Sequence, residues 1–349
     1  MKTAELLRSI PKVQLHCHLE GTLRASTFVD LARRHGVALT YRRGQAAGVL
    51  PAAEVPSDPD RVYRFADFQE FLMTFAAVSR ALAHPDDYGR LAAEYVQDAL
   101  SHNVAHAEVF ISPSVWQFFH PEIDVRACVQ AMRDAFDAAK PALETLLIVD
   151  VTRNFGTQSA MRTTRLALEL QDLGVIGIGL GGDEARYPAE LFEDVYAFAR
   201  KEGLHTVAHA GEAAGAHSVR AAIEVLGAER IGHGVRALED PSVVELLARE
   251  RIPLEVCPTS NMLTGVAQRG QPHPLVHLDA AGCVVMVDTD DPALFGTSIT
   301  DEYAYAAEIA GVDAVLRFAA NAVDASFAAP QRKAALHQRL EPYRHHVGS

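Results

Sequence analysis

Five residues scattered along most of the chain, His16, His18, His209, His233 and Asp290, are of the types that bind first-row divalent metals, and each closes a short apolar run. In Val13-Gln14-Leu15-His16-Cys17-His18 the two-residue period of an extended strand sends both imidazoles to one face and Cys17 to the other. The histidines can then share an ion while the thiol packs away from it. His209 ends Val207-Ala208-His209, and Asp290 follows Val287-Asp288-Thr289. Three neutral imidazoles and one carboxylate, from His16, His18, His209 and Asp290, suit a single Zn²⁺ with a position left for water, although the same donors also suit iron, cobalt or manganese. A His-x-His alone is equally a chance pair with satisfied rings, so the weight falls on the other strand ends.

Ligands so far apart in sequence meet only if strand ends converge, and a closed parallel barrel brings them to one mouth. Eight β-branched runs predict strands over residues 12–18, 104–111, 145–152, 175–180, 205–209, 230–233, 252–257 and 284–288. Between them lie amphipathic stretches rich in Ala, Leu, Arg and Glu, as in repeated βα units. Pro188 to Glu202 opens on proline, ends before Gly203 and places Leu191, Val195, Phe198 and Ala199 at helical spacing, which predicts a helix. The expected fold is α/β, a (β/α)8 TIM barrel, read as one domain over 1–349 without internal repeat or linker. One connection is too long. Residues 37–84, between the first two barrel strands, contain Gly44, Gly48, Pro51, Pro56 and Pro59, then Phe65, Phe68, Phe71, Leu72 and Phe75 on one helical face. Those aromatics fit packing onto the barrel or contact with a substrate, and we read the insertion as a helical lid over the mouth.

The bulk composition bounds the function classes. The chain has 349 residues, 49% hydrophobic, with a mean hydropathy near zero and a net charge of -13. That acidity argues against nucleic acid or an anionic membrane surface as partner. No apolar stretch is long enough to span a bilayer, and Met1 to Pro11 carries Lys2, Glu5 and Arg8 rather than a signal-peptide core. Cys17, Cys128, Cys257 and Cys283 have neither close pairing nor zinc-finger spacing, so reduced, buried thiols and a cytoplasmic location are expected. Oligomeric state leaves no signature. His35, His84, His120, His273, His345 and His346 stand in polar contexts and are expected to face solvent. Two-metal hydrolases on such barrels bridge their ions with a lysine or carboxylate on the fourth strand, but Val175-Ile176-Gly177-Ile178-Gly179-Leu180 has neither. One ion is the better expectation.

The segments Pro11-Lys12-Val13-Gln14-Leu15-His16-Cys17-His18-Leu19-Glu20-Gly21, His209-Ala210-Gly211-Glu212, Arg230-Ile231-Gly232-His233-Gly234, Cys257-Pro258-Thr259-Ser260-Asn261 and Thr289-Asp290-Asp291-Pro292 resemble, in this order, the adenosine and adenine deaminase family of the amidohydrolase superfamily. The resemblance spans nearly the whole chain. It implies a zinc-dependent barrel that replaces the 6-amino group of a purine by oxygen, with zinc on His16, His18, His209 and Asp290. It further implies that His233 orients or deprotonates the water, that Glu212 delivers a proton to N1, and that Asp291 hydrogen-bonds N7. The backbone at Gly182 would meet N3, and Glu20 would stand where adenosine deaminases usually carry an aspartate for the ribose 5′-hydroxyl. Plainer readings exist for each: a helix N-terminal carboxylate at Glu212, a core histidine at His233, a turn before Pro292 at Asp291 and a flexible turn at Gly181-Gly182.

Three positions depart from the adenosine-type pattern: Glu20, Phe110 where arginine is common, and Asp288 for a frequent asparagine. Gly179-Leu180-Gly181-Gly182-Asp183-Glu184 is nearer the nucleoside type than the adenine type. Glu20, Phe110 and Leu294-Phe295-Gly296 are also similar to deaminases of aminodeoxyfutalosine, a menaquinone precursor with a carboxyphenyl group beyond the 5′ position. Arg24, Arg61 or Arg64 would receive that carboxylate if they are not simply solvated. The expected activity is zinc-dependent hydrolytic deamination of a 6-aminopurine nucleoside, adenosine or a derivative such as aminodeoxyfutalosine, releasing ammonia. Adenine deamination is the alternative. A mononuclear metal hydrolase of an ester or amide, or an inert binding barrel, stands behind both.

Overall fold

The computed structural model describes residues 3–37, 39–43, 46–50, 63, 68–268 and 270–344. In chain order its strands are β1 (Lys12–Gln14), β2 (Leu39–Arg43), β3 (Ala46–Leu50), β4 (Val104–Ile111), β5 (Glu144–Thr152), β6 (Val175–Gly181), β7 (His205–Ala210), β8 (Arg230–His233), β9 (Pro253–Val256) and β10 (Val284–Val287). β1 and β4 to β10 form one sheet in the order β1-β4-β5-β6-β7-β8-β9-β10, every pairing parallel. Parallel neighbours need long crossovers, and helices fill them, covering the outer face. Strands buried on both faces are mostly apolar; all eight residues of β4 are buried, and His106 and Glu108 are the two that interrupt its apolar run. That is why each expected strand falls within a few residues of an observed one.

The ring closes where the first and last strands run out. Beyond Gln14, His18 N–H donates to the carbonyl of Asp290 at 2.9 Å, and Asp290 N–H donates to that of His16 at 3.0 Å. Leu15 N–H adds a bond to the Asp288 carboxylate at 2.7 Å, and the Gln14 amide one to Thr289 Oγ1 at 2.7 Å. The strand expected over 12–18 is therefore regular only to Gln14. Past it, Cys17 bridges to Asp290 and His18 to Phe110 as single pairs, so the chain alternates between two neighbours instead of following one.

Between 37 and 84 the structure has an antiparallel β2–β3 pair and the helix Phe68–Ala81. Gly44, Pro51, Pro56, Pro59, Arg61, Arg64 and Phe65 lie outside the described residues. Phe71 is buried and stacks on Phe295 at 4.9 Å, while Phe75 meets the His18 ring edge-on at 6.4 Å. The helix expected from Pro188 to Glu202 begins instead as a 3₁₀ turn, Ala189–Phe192, before the α-helix Glu193–Lys201. Such turns commonly open helices.

The barrel floor holds a paired charge network. Arg230, almost fully buried, donates from Nε to Glu255 Oε1 at 2.6 Å and from Nη1 to Glu108 Oε2 at 2.5 Å. Glu108 in turn meets His106 at 3.2 Å, and His106 meets Glu144 at 3.0 Å. Removing one member strands charges in a low dielectric, which costs more than an intact buried pair contributes. Arg230→Met is expected to lower unfolding free energy by about 3–5 kcal/mol in denaturant titrations; a loss under about 1 kcal/mol would show that the network relaxes or takes up water.

Candidate active site

Closure of the ring places the ligand-type side chains around one point. His18 Nε2 lies 3.4 Å and His16 Nε2 3.5 Å from Asp290 Oδ1, and the Nε2 atoms of His18 and His209 are 3.1 Å apart. Two sets of donor atoms within 4.8 Å of one another, His16, His209, His233 and Asp290, and His18, Asp290 and Asp291, overlap at Asp290. They form one centre. His16 Nε2 is buried with no hydrogen-bond partner; burial holds the His18 and His233 imidazoles at about 4 and about 3 and pushes His209 well below its ordinary value, whereas against its own burial His16 is held up by the Asp290 and Glu255 carboxylates, a proton that metal ligation would displace. Three neutral imidazoles with one carboxylate fit a divalent ion such as zinc. His233 and Asp290 both adopt left-handed backbone, φ 62° and 64°, uncommon for residues with a side chain and concentrated at functional sites.

Neighbouring groups fix the orientation of each member. Glu255 Oε2 lies 2.8 Å from His16 Nδ1, leaving Nε2 to face the centre, and Arg230 holds the other oxygen of the same carboxylate. Ser260 Oγ donates to Asp290 Oδ2 at 2.7 Å, and the Asn261 side-chain nitrogen lies 3.1 Å from His233 Nδ1. Glu184 accepts four successive backbone N–H groups, 211 through 214, at 2.6 to 3.1 Å, fixing the turn that carries Glu212. Glu184, Arg230, Ser260 and Asn261 lie in segments already compared with the family, but the sequence alone does not show which groups they hold. For Glu255 the available signal was a carboxylate inside an apolar strand, two residues before Cys257 and so on the inward parity.

Glu212, His233, Asp290 and Asp291 line a cavity of about 330 Å³ with His18 and His209, and Phe71, Leu72, Phe75 and Phe118 form its outer wall. A larger groove of about 660 Å³ beside Ser159 and Arg162 contains none of the cluster. Glu212 Oε2 is 3.6 Å from His233 Nε2. Burial, with the Asp290 and Glu184 carboxylates nearby, pushes Glu212 up to about 8. It precedes the next helix, Ala216–Glu224, by several residues, so it is not an N-terminal helix carboxylate. Asp291 makes no capping bond to the helix Pro292–Phe295; its buried Oδ1 is unpartnered, and a Cβ on Gly21 would overlap it. Gly182 lines the cavity at φ 99°, a conformation glycine adopts freely.

Other expectations meet a different arrangement. Glu20 is buried but does not line the cavity: Oε1 accepts from Ser112 N–H at 2.8 Å and Trp116 Nε1 at 2.7 Å. The extra methylene relative to aspartate lets the carboxylate reach these donors. Arg24 pairs with Asp98 at 2.6 Å and is not free to receive a ligand carboxylate. His273 is buried, not solvent-facing, because its Nδ1 accepts from Leu275 N–H and caps the helix Pro274–Ala280. His84 is exposed, His35 and His120 are half-buried, and His345 and His346 lie outside the described residues. The four cysteines are free and buried, and among the described residues no helix is long and apolar enough to cross a membrane.

Comparison with known proteins agrees with this geometry. The model of the family described as adenosine deaminase matches residues 11–343. An adenine deaminase of Cupriavidus necator is 37% identical over 335 residues, covering 95% of this chain and 91% of that protein. An aminodeoxyfutalosine deaminase of Streptomyces avermitilis is 34% identical over 346 residues, covering 97% and 92%. Among solved structures, an amidohydrolase of Burkholderia ambifaria with bound zinc superposes with a TM-score of 0.87 at 28% identity, covering 99% of this chain and 94% of that one. With its barrel, its histidine–aspartate centre and a family match along nearly its whole length, the chain belongs to the adenosine deaminase family of hydrolytic deaminases.

Proposed function

We propose that this protein is a zinc-dependent deaminase of a 6-aminopurine nucleoside, adenosine or a derivative such as aminodeoxyfutalosine, acting as one domain with a single ion per chain. The observation that carries the reading is the half-buried Glu212 carboxyl, held by its Glu184-anchored turn 3.6 Å from His233 Nε2 in the cavity and raised to about 8. Zinc held by His16, His18, His209 and Asp290 supplies water activation, lowering the pKa of a water toward neutrality. Attack at C6 breaks the aromaticity of the ring and puts electron density on N1. Glu212, protonated, delivers a proton there. His233, neutral and held through Nδ1 by Asn261, orients the attacking water or takes up its proton. Asp291, with its unpartnered Oδ1, hydrogen-bonds N7, and the backbone at Gly182 approaches N3.

The outer part of the cavity supports a substrate larger than a bare purine. Its wall of Phe71, Leu72, Phe75, Val115, Phe118 and Phe155 is apolar, as suits a nonpolar extension beyond the sugar, while Glu20 stays behind Ser112 and Trp116. The helix Phe68–Ala81 roofs this lobe, and we take residues 37–84 as a lid that excludes water. Free adenine is the second reading. The absence of Glu20 from the cavity lining favours it, since a base without ribose needs no partner there. Four buried free thiols support a cytoplasmic location.

Dialysis against a chelator is expected to lower the melting temperature, and added zinc to restore it; free ion at a hundred times its Kd stabilises by about 2.7 kcal/mol. A melting temperature indifferent to chelator and zinc would remove the metal from this account. Glu212→Gln should keep its metal content while turnover falls by ~10² to 10⁴-fold, so an active variant would refute the acid role. Ammonia release measured in parallel on adenine, adenosine, methylthioadenosine, S-adenosylhomocysteine and aminodeoxyfutalosine is expected to be fastest on a nucleoside. Preference for adenine would establish the second reading, and inactivity on all five alongside ester cleavage would overturn both.

A further inference from the structure

One buried acid in the cavity has no part in this chemistry. Asp150 belongs to β5, two residues beyond Ile148, whose side chain joins Phe110 and Val207 in the closed interior of the barrel. The two-residue period aims Asp150 inward as well, one layer nearer the mouth, and it lines the same cavity as Glu212, Gly181 and Gly182. It is 6% exposed, and its Oδ1 has no hydrogen-bond partner. Glycines on the adjoining β6 clear its space: a Cβ at Gly179 would lie 2.9 Å from Oδ1, and one at Gly181 would overlap Oδ2. Gly177 instead makes room for the His205 backbone and Gly179 also for the Phe110 ring, but at Gly181 the three nearest atoms all belong to Asp150, and a strand glycine leaves nothing to pack unless something needs its room. A carboxylate that the protein buries and leaves unsatisfied at a ligand cavity has that need.

Its position defines which part of a ligand it meets. In the ring of eight strands β5 stands third, three strands away from β8 with His233 and three from β10 with Asp290. Asp150 therefore faces the reacting centre across the mouth, beside the Gly181–Gly182 turn. On the deaminase reading above, on which this inference rests, that is the N3/N9 side of the purine.

We propose that Asp150 is a specificity-determining residue whose carboxylate accepts a hydrogen bond from an N–H or O–H on the N3/N9 side of the substrate, either the N9–H of a free base or a sugar hydroxyl. Burial, with the Glu20 carboxylate nearby, pushes Asp150 up to about 7, so the unbound site pays for its own lack of a donor. A ligand without that donor leaves the oxygen unpaired in a dry cavity, the arrangement that discriminates most sharply against an analogue.

The test compares wild type with Asp150→Leu, which removes the acceptor at similar size, on adenine, adenosine and 9-methyladenine, the last carrying no donor at that edge. Each compound is measured as a substrate or, where it is not turned over, as a competitive inhibitor, with metal content recorded for both proteins. Wild type is expected to disfavour 9-methyladenine, and Asp150→Leu to narrow that preference about tenfold or more. The change should appear in KM or the inhibition constant, with metal content retained. A loss on adenine identifies the N9–H as the donor, and a loss on adenosine a sugar hydroxyl. Equal effects on all three compounds, or none, would overturn the role of Asp150 while leaving the deaminase reading intact. A wild-type enzyme that neither deaminates nor binds any of them defeats that reading, and the Asp150 assignment falls with it.

Discussion

The backbone bonds between His16–His18 and Asp290 are the constraint on which the rest of the molecule depends. They close the strand ring and also set three of the candidate ligands side by side, so the barrel cannot be complete without the centre being assembled. The carboxylate of Asp288 and the amide of Gln14 reinforce the same join with side-chain bonds, one layer below the ligands. Left-handed backbone at His233 and Asp290 is the local distortion that turns these side chains inward as the strands end.

Buried polar groups divide by depth. At the floor, Arg230, Glu108, Glu255 and His106 answer one another across several strands, with Arg230 Nη2 left without a hydrogen-bond partner. Nearer the mouth the pattern reverses: His16 Nε2, Asp291 Oδ1 and Asp150 Oδ1 are buried and unanswered by protein. Glu255 links the two layers by touching both Arg230 and His16. Through it the paired charges of the floor determine which ring nitrogen of a candidate ligand faces the centre.

What the sequence reveals about this molecule follows from what repeats along the chain. Parallel strands covered on both sides are mostly apolar, so the eight barrel strands are legible in the sequence, and the histidines at their ends with them. Side-chain direction and backbone partners are less visible. Glu184 works through the main-chain N–H groups of 211–214, and although the segment Cys257 to Asn261 carries part of the family resemblance, the bonds of Ser260 to Asp290 and Asn261 to His233 show only once β8, β9 and β10 are side by side. Glu20 occupies the expected place in the chain, yet one additional methylene turns its carboxylate to Ser112 and Trp116. The burial of His273 escapes the sequence for the related reason that its helix cap is a contact with backbone.

The join between the first and last strands also orders events in time. Gln14 and Thr289, which bond across it, are 275 residues apart in sequence. A ribosome extending the chain from its N-terminus releases His16 and His18 long before their partner exists, so the growing chain carries exposed imidazoles and an open sheet edge for most of its synthesis. Contacts this distant in sequence are slow to form. The candidate metal centre is thus among the last features the folding of this chain can complete, and an ion arriving early would meet a pair of histidines rather than a site.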